Sequence, residues 1–177
     1  AVAALGTATT SRHLERLFRL APSIIFCFDG DRAGRTAAWR ALETALPELG
    51  GGRQISFLFL PDGDDPDSLV RREGGPAFVA LAAKATSLPD FLFQKLSTET
   101  DMGRIDGRAR LVELAKPLLA KIPEGPLREL MHQRLREETG VQSTEEPRKL
   151  KGRPPVSRRQ ASPQRLSPMA TAVSLLL

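Results

Sequence analysis

The sequence is poor in cysteine, histidine and aromatic residues. Among 177 residues there is one cysteine, Cys27, no tyrosine and two histidines. A single cysteine excludes an internal disulfide. One cysteine and two distant histidines, His13 and His132, exclude a tetrahedral zinc site. Without tyrosine, the chain brings no tyrosine nucleophile of its own. No apolar run nears the ~20 residues of a membrane span, and the closing apolar stretch at residues 173–177 is far too short. No basic-then-apolar leader opens the chain. A cytosolic setting is the simplest reading. The chain starts inside an apolar segment, Ala1-Val2-Ala3-Ala4-Leu5, without an initiator Met, as expected of a piece of a longer protein.

The net charge of +5 is unevenly spread. From Arg148 onward there are seven basic residues and no acid. The remainder holds 19 Lys and Arg against 21 Asp and Glu, a net of −2. The body is near neutral, so charge alone does not mark it as a nucleic-acid binder.

Hydrophobic residues make up 41% of the chain, enough for a core. Thr10-Ser11 can cap a helix running to about Leu20, with Leu14, Leu17 and Phe18 on one face. Pro22 ends it. Ser23-Ile24-Ile25-Phe26-Cys27-Phe28 is a short apolar run, expected as a strand buried on both faces. Cys27 lies inside that run and reads as a buried structural thiol. Next come Asp29-Gly30-Asp31 and a helical pattern carrying Ala37, Ala38, Ala41, Leu42 and Ala45. Pro47 and Gly50-Gly51-Gly52 stop it. A second apolar strand, residues 54–60, leads to Pro61-Asp62-Gly63-Asp64-Asp65-Pro66-Asp67 and another helix to about Glu73. Strand, acidic loop, helix, repeated, is the rhythm of an α/β fold with a parallel sheet. In such sheets the loops leaving the carboxyl ends of neighbouring strands meet in one crevice. This predicts that Asp29 and Asp31 lie near Asp65 and Asp67.

After Gly75 the pattern is wholly helical, in segments near 76–85, 88–97, 106–122 and 126–139. Pro76 and Pro126 suit first-turn positions, and Asp106 suits an N-cap. Pro117 is expected to kink or split its helix. Gly140 is a C-terminal stop. These helices are expected to pack as a small bundle beside the sheet. From Gln142 the chain is rich in Pro, Ser and Arg and reads as a disordered tail.

Alternate residues of an extended segment point the same way, so Asp29 and Asp31 can present two carboxylates to one ion or to two adjacent ions. Hard oxygen ligands without His or Cys favour Mg²⁺ or Mn²⁺. Four carboxylates close together repel unless cations neutralise them. Two such ions, about 4 Å apart, can activate an attacking hydroxyl and stabilise a leaving pyrophosphate. Arg32, Gly34 and Arg35 fall at a helix start and suit phosphate groups. The plainer readings are that Asp31 and Asp67 simply cap helices and that Pro-Asp-Gly is turn chemistry. His13 and His132 read as helix-surface residues. Trp39 and the phenylalanines read as core, since no basic–aromatic alternation indicates a base-stacking platform.

The stretch Phe26-Cys27-Phe28-Asp29-Gly30-Asp31-Arg32-Ala33-Gly34-Arg35 resembles the second motif of Toprim domains in bacterial replicative primases of the DnaG type. Ala3-Ala4-Leu5-Gly6-Thr7-Ala8-Thr9-Thr10 looks like the segment after the first Toprim strand. Ala37-Ala38-Trp39-Arg40-Ala41-Leu42-Glu43, residues 59–70 and Asp106-Gly107-Arg108-Ala109-Arg110-Leu111 also look like primase sequence, so the likeness runs in order over residues 1–140. It implies a partial, Rossmann-like Toprim domain lacking its first strand at 1–75, a helical subdomain at 76–140, and a basic tail at 141–177. It implies RNA-primer synthesis on a single-stranded DNA template from ribonucleoside triphosphates with Mg²⁺ or Mn²⁺. Asp29 and Asp31 would be the catalytic, metal-binding pair, with Asp65 and Asp67 as further acids. In the full-length parent it implies a replicative helicase and a single-strand-binding protein as partners, in the bacterial cytoplasm and with no membrane.

The chain departs from the family pattern in four respects. The family's glutamate on the preceding strand has no counterpart, for the only acid before Asp29 is Glu15, on the amphipathic helix. The zinc-binding module, the basic template-gripping domain and the helicase-binding domain are not recognised. The 177 residues alone are therefore expected not to make primers. Alternatives are another Toprim enzyme (a topoisomerase or an OLD-type nuclease), a phosphatase of the haloacid-dehalogenase type with Asp29 as nucleophile, and a non-catalytic remnant or binding module.

Overall fold

The computed structural model describes residues 2–4, 9–61, 63–141 and 171–176, with the backbone path alone at 2–4 and 171–176. The elements run β1 (Val2–Ala4), α1 (Ser11–Phe18), β2 (Ser23–Phe28), α2 (Arg32–Ala45), a short 3₁₀ turn (Leu46–Glu48), β3 (Gln54–Phe59), α3 (Pro66–Glu73), α4 (Gly75–Ala82), β4 (Thr86–Ser87), α5 (Leu88–Thr98), α6 (Ile105–Leu119), α7 (Pro126–Thr139) and β5 (Thr171–Leu176). The strands form one sheet in the order β1-β5-β2-β3-β4, with β4 antiparallel to β3 and the other pairs parallel.

The alternation of β2 and β3 sets the two layers. Ile24, Phe26 and Phe28 face one way with Ile55 and Phe57, into the larger core shared with α1, α2, α5, α6 and α7. Ile25 and Cys27 face the other way with Leu58 and Leu60, against Leu69 of α3 and Ala82 of α4. A parallel sheet covered on both faces needs such uninterrupted apolar strands, because neither face meets water. Phe26 and Phe57 are fully buried and stack at 5.7 Å between ring centroids. Each contributes about 2–3 kcal/mol by burial. Leu111, Leu119, Met131 and Leu135 of the later helices belong to the same core, so the bundle packs directly on the sheet layer.

The expected strand–loop–helix repeat is present, and α1 is capped by Thr10. Several details differ from the sequence reading. The stretch after Gly75 is not wholly helical. Thr86 and Ser87 pair with Phe57 and Ser56, and Ser87 then caps α5. The N-cap of α6 is Arg104 rather than Asp106, whose carboxylate instead accepts from the Arg104 guanidinium at 3.0 Å. Pro117 does not split α6, which continues to Leu119 and ends at Ala120. Gly140 ends α7 in the left-handed conformation, at φ 67°. The disordered-tail expectation is corrected at its far end. Residues 171–176 form β5, seated between β1 and β2, because Thr-Ala-Val-Ser-Leu-Leu is an uncharged run that suits a strand paired on both sides. The rest of that expectation, residues 142–170 and 177, lies outside the described residues, as does Asp62.

Candidate functional site

Both acidic loops leave the sheet at the same edge. Phe28 pairs with Phe59 at the ends of β2 and β3, and the Leu60 N–H donates to the Phe28 carbonyl at 2.9 Å. Asp29 therefore begins one loop just where Leu60 and Pro61 begin the other. The crevice expected from the repeat is this edge.

In the first loop, Asp29 is exposed and its carboxylate makes no hydrogen bond or ion pair among the described residues. Asp31 is the N-cap of α2, and the Gly34 N–H donates to its Oδ1 at 2.7 Å. The second Asp31 oxygen accepts no hydrogen bond among the described residues. The first turn of α2 folds back onto the backbone of Asp29, so closely that a Cβ on Gly34 would collide with the Asp29 carbonyl. Gly34 thus shapes the loop by lacking a side chain. Its N–H is already engaged by Asp31, which leaves phosphate chemistry to the exposed Arg32 and Arg35. The Arg35 guanidinium lies 5.0 Å from the centre of the Phe59 ring, a cation–π contact that aims it along the sheet edge. Buried Cys27, two residues before Asp29, has its thiol pushed up to about 12 by burial and by the nearby Asp29 charge. It stays protonated and chemically inert, as its apolar setting implied.

The second loop is satisfied internally. Asp64 accepts two bonds from Arg72, at 2.5 and 2.7 Å, and that guanidinium holds its carboxyl below the usual carboxylate range. Asp65, not Asp67, caps α3. The Ser68 N–H donates to Asp65 Oδ1 at 2.8 Å while the Asp65 N–H donates to Ser68 Oγ at 3.1 Å. The Ser68 bonds also lower the Asp65 pKa. Asp67 pairs with Arg71 at 3.0 Å on the open surface.

The expectation that four carboxylates gather into one formed metal centre is not met. No group of three or more His, Cys, Asp or Glu side chains among the described residues is placed to hold a metal ion. The reason is local. Asp65 and Asp67 find partners within their own helix, whereas Asp29 and the outer oxygen of Asp31 do not. The donor set left open, two hard carboxylates in a loop, fits a Mg²⁺ or Mn²⁺ ion that keeps several of its waters.

Sequence reasoning missed the surroundings of this pair. Asp64, with Arg72, is the clamp of the second loop. Trp39 and Phe59 are half-buried rather than core, and they line a groove beside Arg32 and Arg35. The available signal was the i, i+3, i+7 spacing of Arg32, Arg35 and Trp39 on one face of α2.

A parallel sheet with acidic loops at adjacent strand exits is the plan of a Toprim-like domain, and a family model of that description matches residues 1–70. A second model, described as the DnaB-helicase binding domain of primase, matches residues 89–143. That match overturns the expectation that no helicase-binding domain is recognisable in the chain. The DNA primase of Pseudomonas aeruginosa is 58% identical over 142 residues, which cover 80% of this chain and 21% of that protein. The Escherichia coli primase catalytic core superposes with a TM-score of 0.76 at 50% identity, covering 81% of this chain and 46% of that one. A DnaG primase catalytic domain bound to ssDNA superposes at 0.74 with 52% identity, covering 77% and 43%. The chain belongs to the bacterial DNA primase family of the DnaG type. It spans about a fifth to a quarter of the length of the curated relatives it matches.

Proposed function

We propose that this chain carries the metal-binding acidic edge of a primase, a nucleotidyltransferase that makes RNA primers for replication. Its substrates would be ribonucleoside triphosphates and its template single-stranded DNA. The observation that carries this reading is the exposed, unpartnered Asp29 beside Asp31 at an edge where two parallel strands end in register. Asp29 and Asp31 are the catalytic, metal-binding pair. Asp65 and Asp67 stand on the neighbouring loop as further acids, engaged by Ser68 and Arg71 respectively. Mg²⁺ or Mn²⁺ bound there would activate the attacking hydroxyl and neutralise the leaving pyrophosphate. Arg32 and Arg35 hold substrate phosphates in bidentate fashion, and the Gly34 contact fixes the loop so that Asp29 points outward.

Residues 1–75 are assigned to the Toprim unit, 76–140 to the helical subdomain, and 141–177 to an appended segment that contains β5. The match at 89–143 supports a replicative helicase as partner, in the bacterial cytoplasm at the replisome; a single-strand-binding protein is a further partner on the family's pattern alone. Among the described residues no helix is long and apolar enough to cross a membrane. Two carboxylates are a thin ligand set, so the isolated chain is expected to bind Mn²⁺ weakly and to make no measurable primer.

The test is Mn²⁺ titration by calorimetry. The native chain should bind, and Asp29→Ala with Asp31→Ala should weaken binding at least tenfold, with melting still cooperative and lowered only by the lost Asp31 cap. The second reading, a non-catalytic remnant, is favoured by the capping role of Asp31 and by the lack of a formed ligand cluster among the described residues. Equal heats from native and variant chains would establish it and remove the metal site.

A further inference from the structure

We propose that the sheet contains a strand-acceptor slot between β1 and β2, a binding site for an extended, uncharged peptide strand, which the chain fills with its own residues 171–176. β1 and β2 follow one another in sequence and are joined through α1, yet they do not pair with each other. They stand two ladder spacings apart, about 10 Å, and β5 lies between them, parallel to both. β1 has no other strand partner among the described residues, so β5 alone ties it to the sheet. The proposal goes beyond the metal reading and does not depend on it.

The bonds that face the slot follow from those on the other side of β2. The N–H groups of Gln54 and Leu60, at the two ends of β3, donate to the carbonyls of Pro22 and Phe28, each at 2.9 Å. Successive backbone polar groups of an extended strand point to opposite sides. The even-numbered residues of β2 therefore face β3. The odd-numbered ones face β5, where Ile25 stands beside Val173 and Cys27 beside Leu175. An empty slot would leave the N–H and C=O groups of Ile25 and Cys27 without a strand partner. Residues 24–27 are each no more than 8% exposed. Unpaired backbone groups at that depth are costly, and an open apolar edge pairs with whatever strand it meets. The fold therefore demands an occupant.

The slot selects its occupant by what it excludes. Charge is excluded because the neighbouring strand is buried. Proline is excluded because a strand paired on both sides supplies N–H groups to both. The ladder with β2 takes five consecutive residues, 171–175. Between Gly140 and Met169 no run free of charge, proline and glycine exceeds four residues, whereas the run from Met169 to Leu177 is nine. Thirty residues, Val141 to Ala170, join this strand to the cap of α7. Such a tether sets an effective concentration of roughly millimolar order, which favours the chain's own strand over a free one. The bonds themselves are backbone bonds that any matching strand can make.

Amide exchange of the full chain, read by NMR, tests the slot. In the native chain the Ile25 and Cys27 N–H groups should be protected at least about a hundredfold, with couplings across their hydrogen bonds to residues 171–176. Val173→Pro with Ser174→Pro removes a donor from each edge of β5 and should empty the slot. Exchange at Ile25 and Cys27 should then rise at least about tenfold, while Ile24 and Phe26, turned toward β3, keep their protection. A peptide of residues 169–177 at about 1 mM should restore the protection, and the same peptide carrying both prolines should not. Ser157→Pro with Ser162→Pro, outside β5, should change nothing. Missing couplings to 171–176 in the native chain, unchanged protection in the Val173→Pro, Ser174→Pro variant, or no effect of the peptide overturns the proposal. Where that variant fails to fold, the native chain refolded with excess isotope-labelled peptide decides instead. Couplings from Ile25 and Cys27 to the label support the slot, and their absence overturns it.

Discussion

The two acidic loops leave neighbouring strands at the same level, yet they are built in opposite ways. In the first, Asp29 stands free and Asp31 spends one oxygen on the cap of α2. In the second, Asp64, Asp65 and Asp67 are engaged by Arg72, Ser68 and Arg71. The second loop is the more acidic in sequence, yet its carboxylates are the less available. A carboxylate already holding an arginine or a helix N–H gives up that interaction to take a metal ion, whereas a free one does not. The contrast makes the first loop the ligand-facing one and the second its rigid neighbour.

The glycines of the two loops offer the harshest way to break this contrast. Gly34 touches the Asp29 backbone, while Gly63 has φ 83° and open space around its Cβ position. Gly34→Ala must push α2 off the loop, and it should cost about 3 kcal/mol. In thermal denaturation that is a drop on the order of 10 °C. Gly63→Ala meets only the left-handed backbone penalty, about 1 kcal/mol. Equal melting temperatures for the two variants would show that the Gly34 contact does not shape the first loop.

Acid should separate the loops next. Asp64 and Asp65 have pKa values lowered in the folded state, by the Arg72 bond and the Ser68 cap respectively. Their contribution to stability is present above the unfolded carboxylate value and is lost as pH falls through the lowered folded one. Native protein should therefore lose stability below about pH 4. Asp64→Asn with Asp65→Asn should flatten that acid limb and lower the melting temperature at pH 7 by a few degrees at most, since the Arg72 ion pair is lost while Asn still caps α3. Urea unfolding across pH 2.5–7 reads both effects. An unchanged acid limb would mean that these partners contribute nothing in solution.

How much of this was legible depended on how local the cause was. The β2 and β3 runs, the α2 pattern, the Thr10 cap and the Gly140 stop were readable because each rests on neighbours in sequence. The two-residue β4 was not, since Thr86 and Ser87 are too few to show a period and their partners are Phe57 and Ser56, far back in the chain. Residues 171–176 were hidden by the basic, Pro-rich stretch before them. The acidic edge was foreseen from strand order, but not that Asp65 would be held by Ser68, because a capping box competes with a ligand for the same oxygens. The groove lined by Arg32, Arg35, Trp39 and Phe59 was invisible because its walls come from three separate elements. Gly34 was read as a phosphate contact, since a steric requirement leaves no mark on residue type beyond glycine itself.

Asp67 gives the mildest and cleanest probe. It sits in the first turn of α3, with its ion pair to Arg71 mostly in water, the two side chains 71% and 79% exposed. Such pairs contribute little to folding, so Asp67→Asn should move the melting temperature by less than about 2 °C. That near-neutrality isolates its chemistry. If Asp67 turns toward an ion held by Asp29 and Asp31, the Asn variant should bind Mn²⁺ a few-fold more weakly while unfolding like the native chain. If Asp67 serves only its own helix, Mn²⁺ binding should be unchanged, and the metal centre narrows to the first loop. Arg71→Ala works in the opposite sense: freeing the Asp67 carboxylate should tighten Mn²⁺ binding only where Asp67 belongs to the centre. The two variants together decide whether the second loop is more than a scaffold.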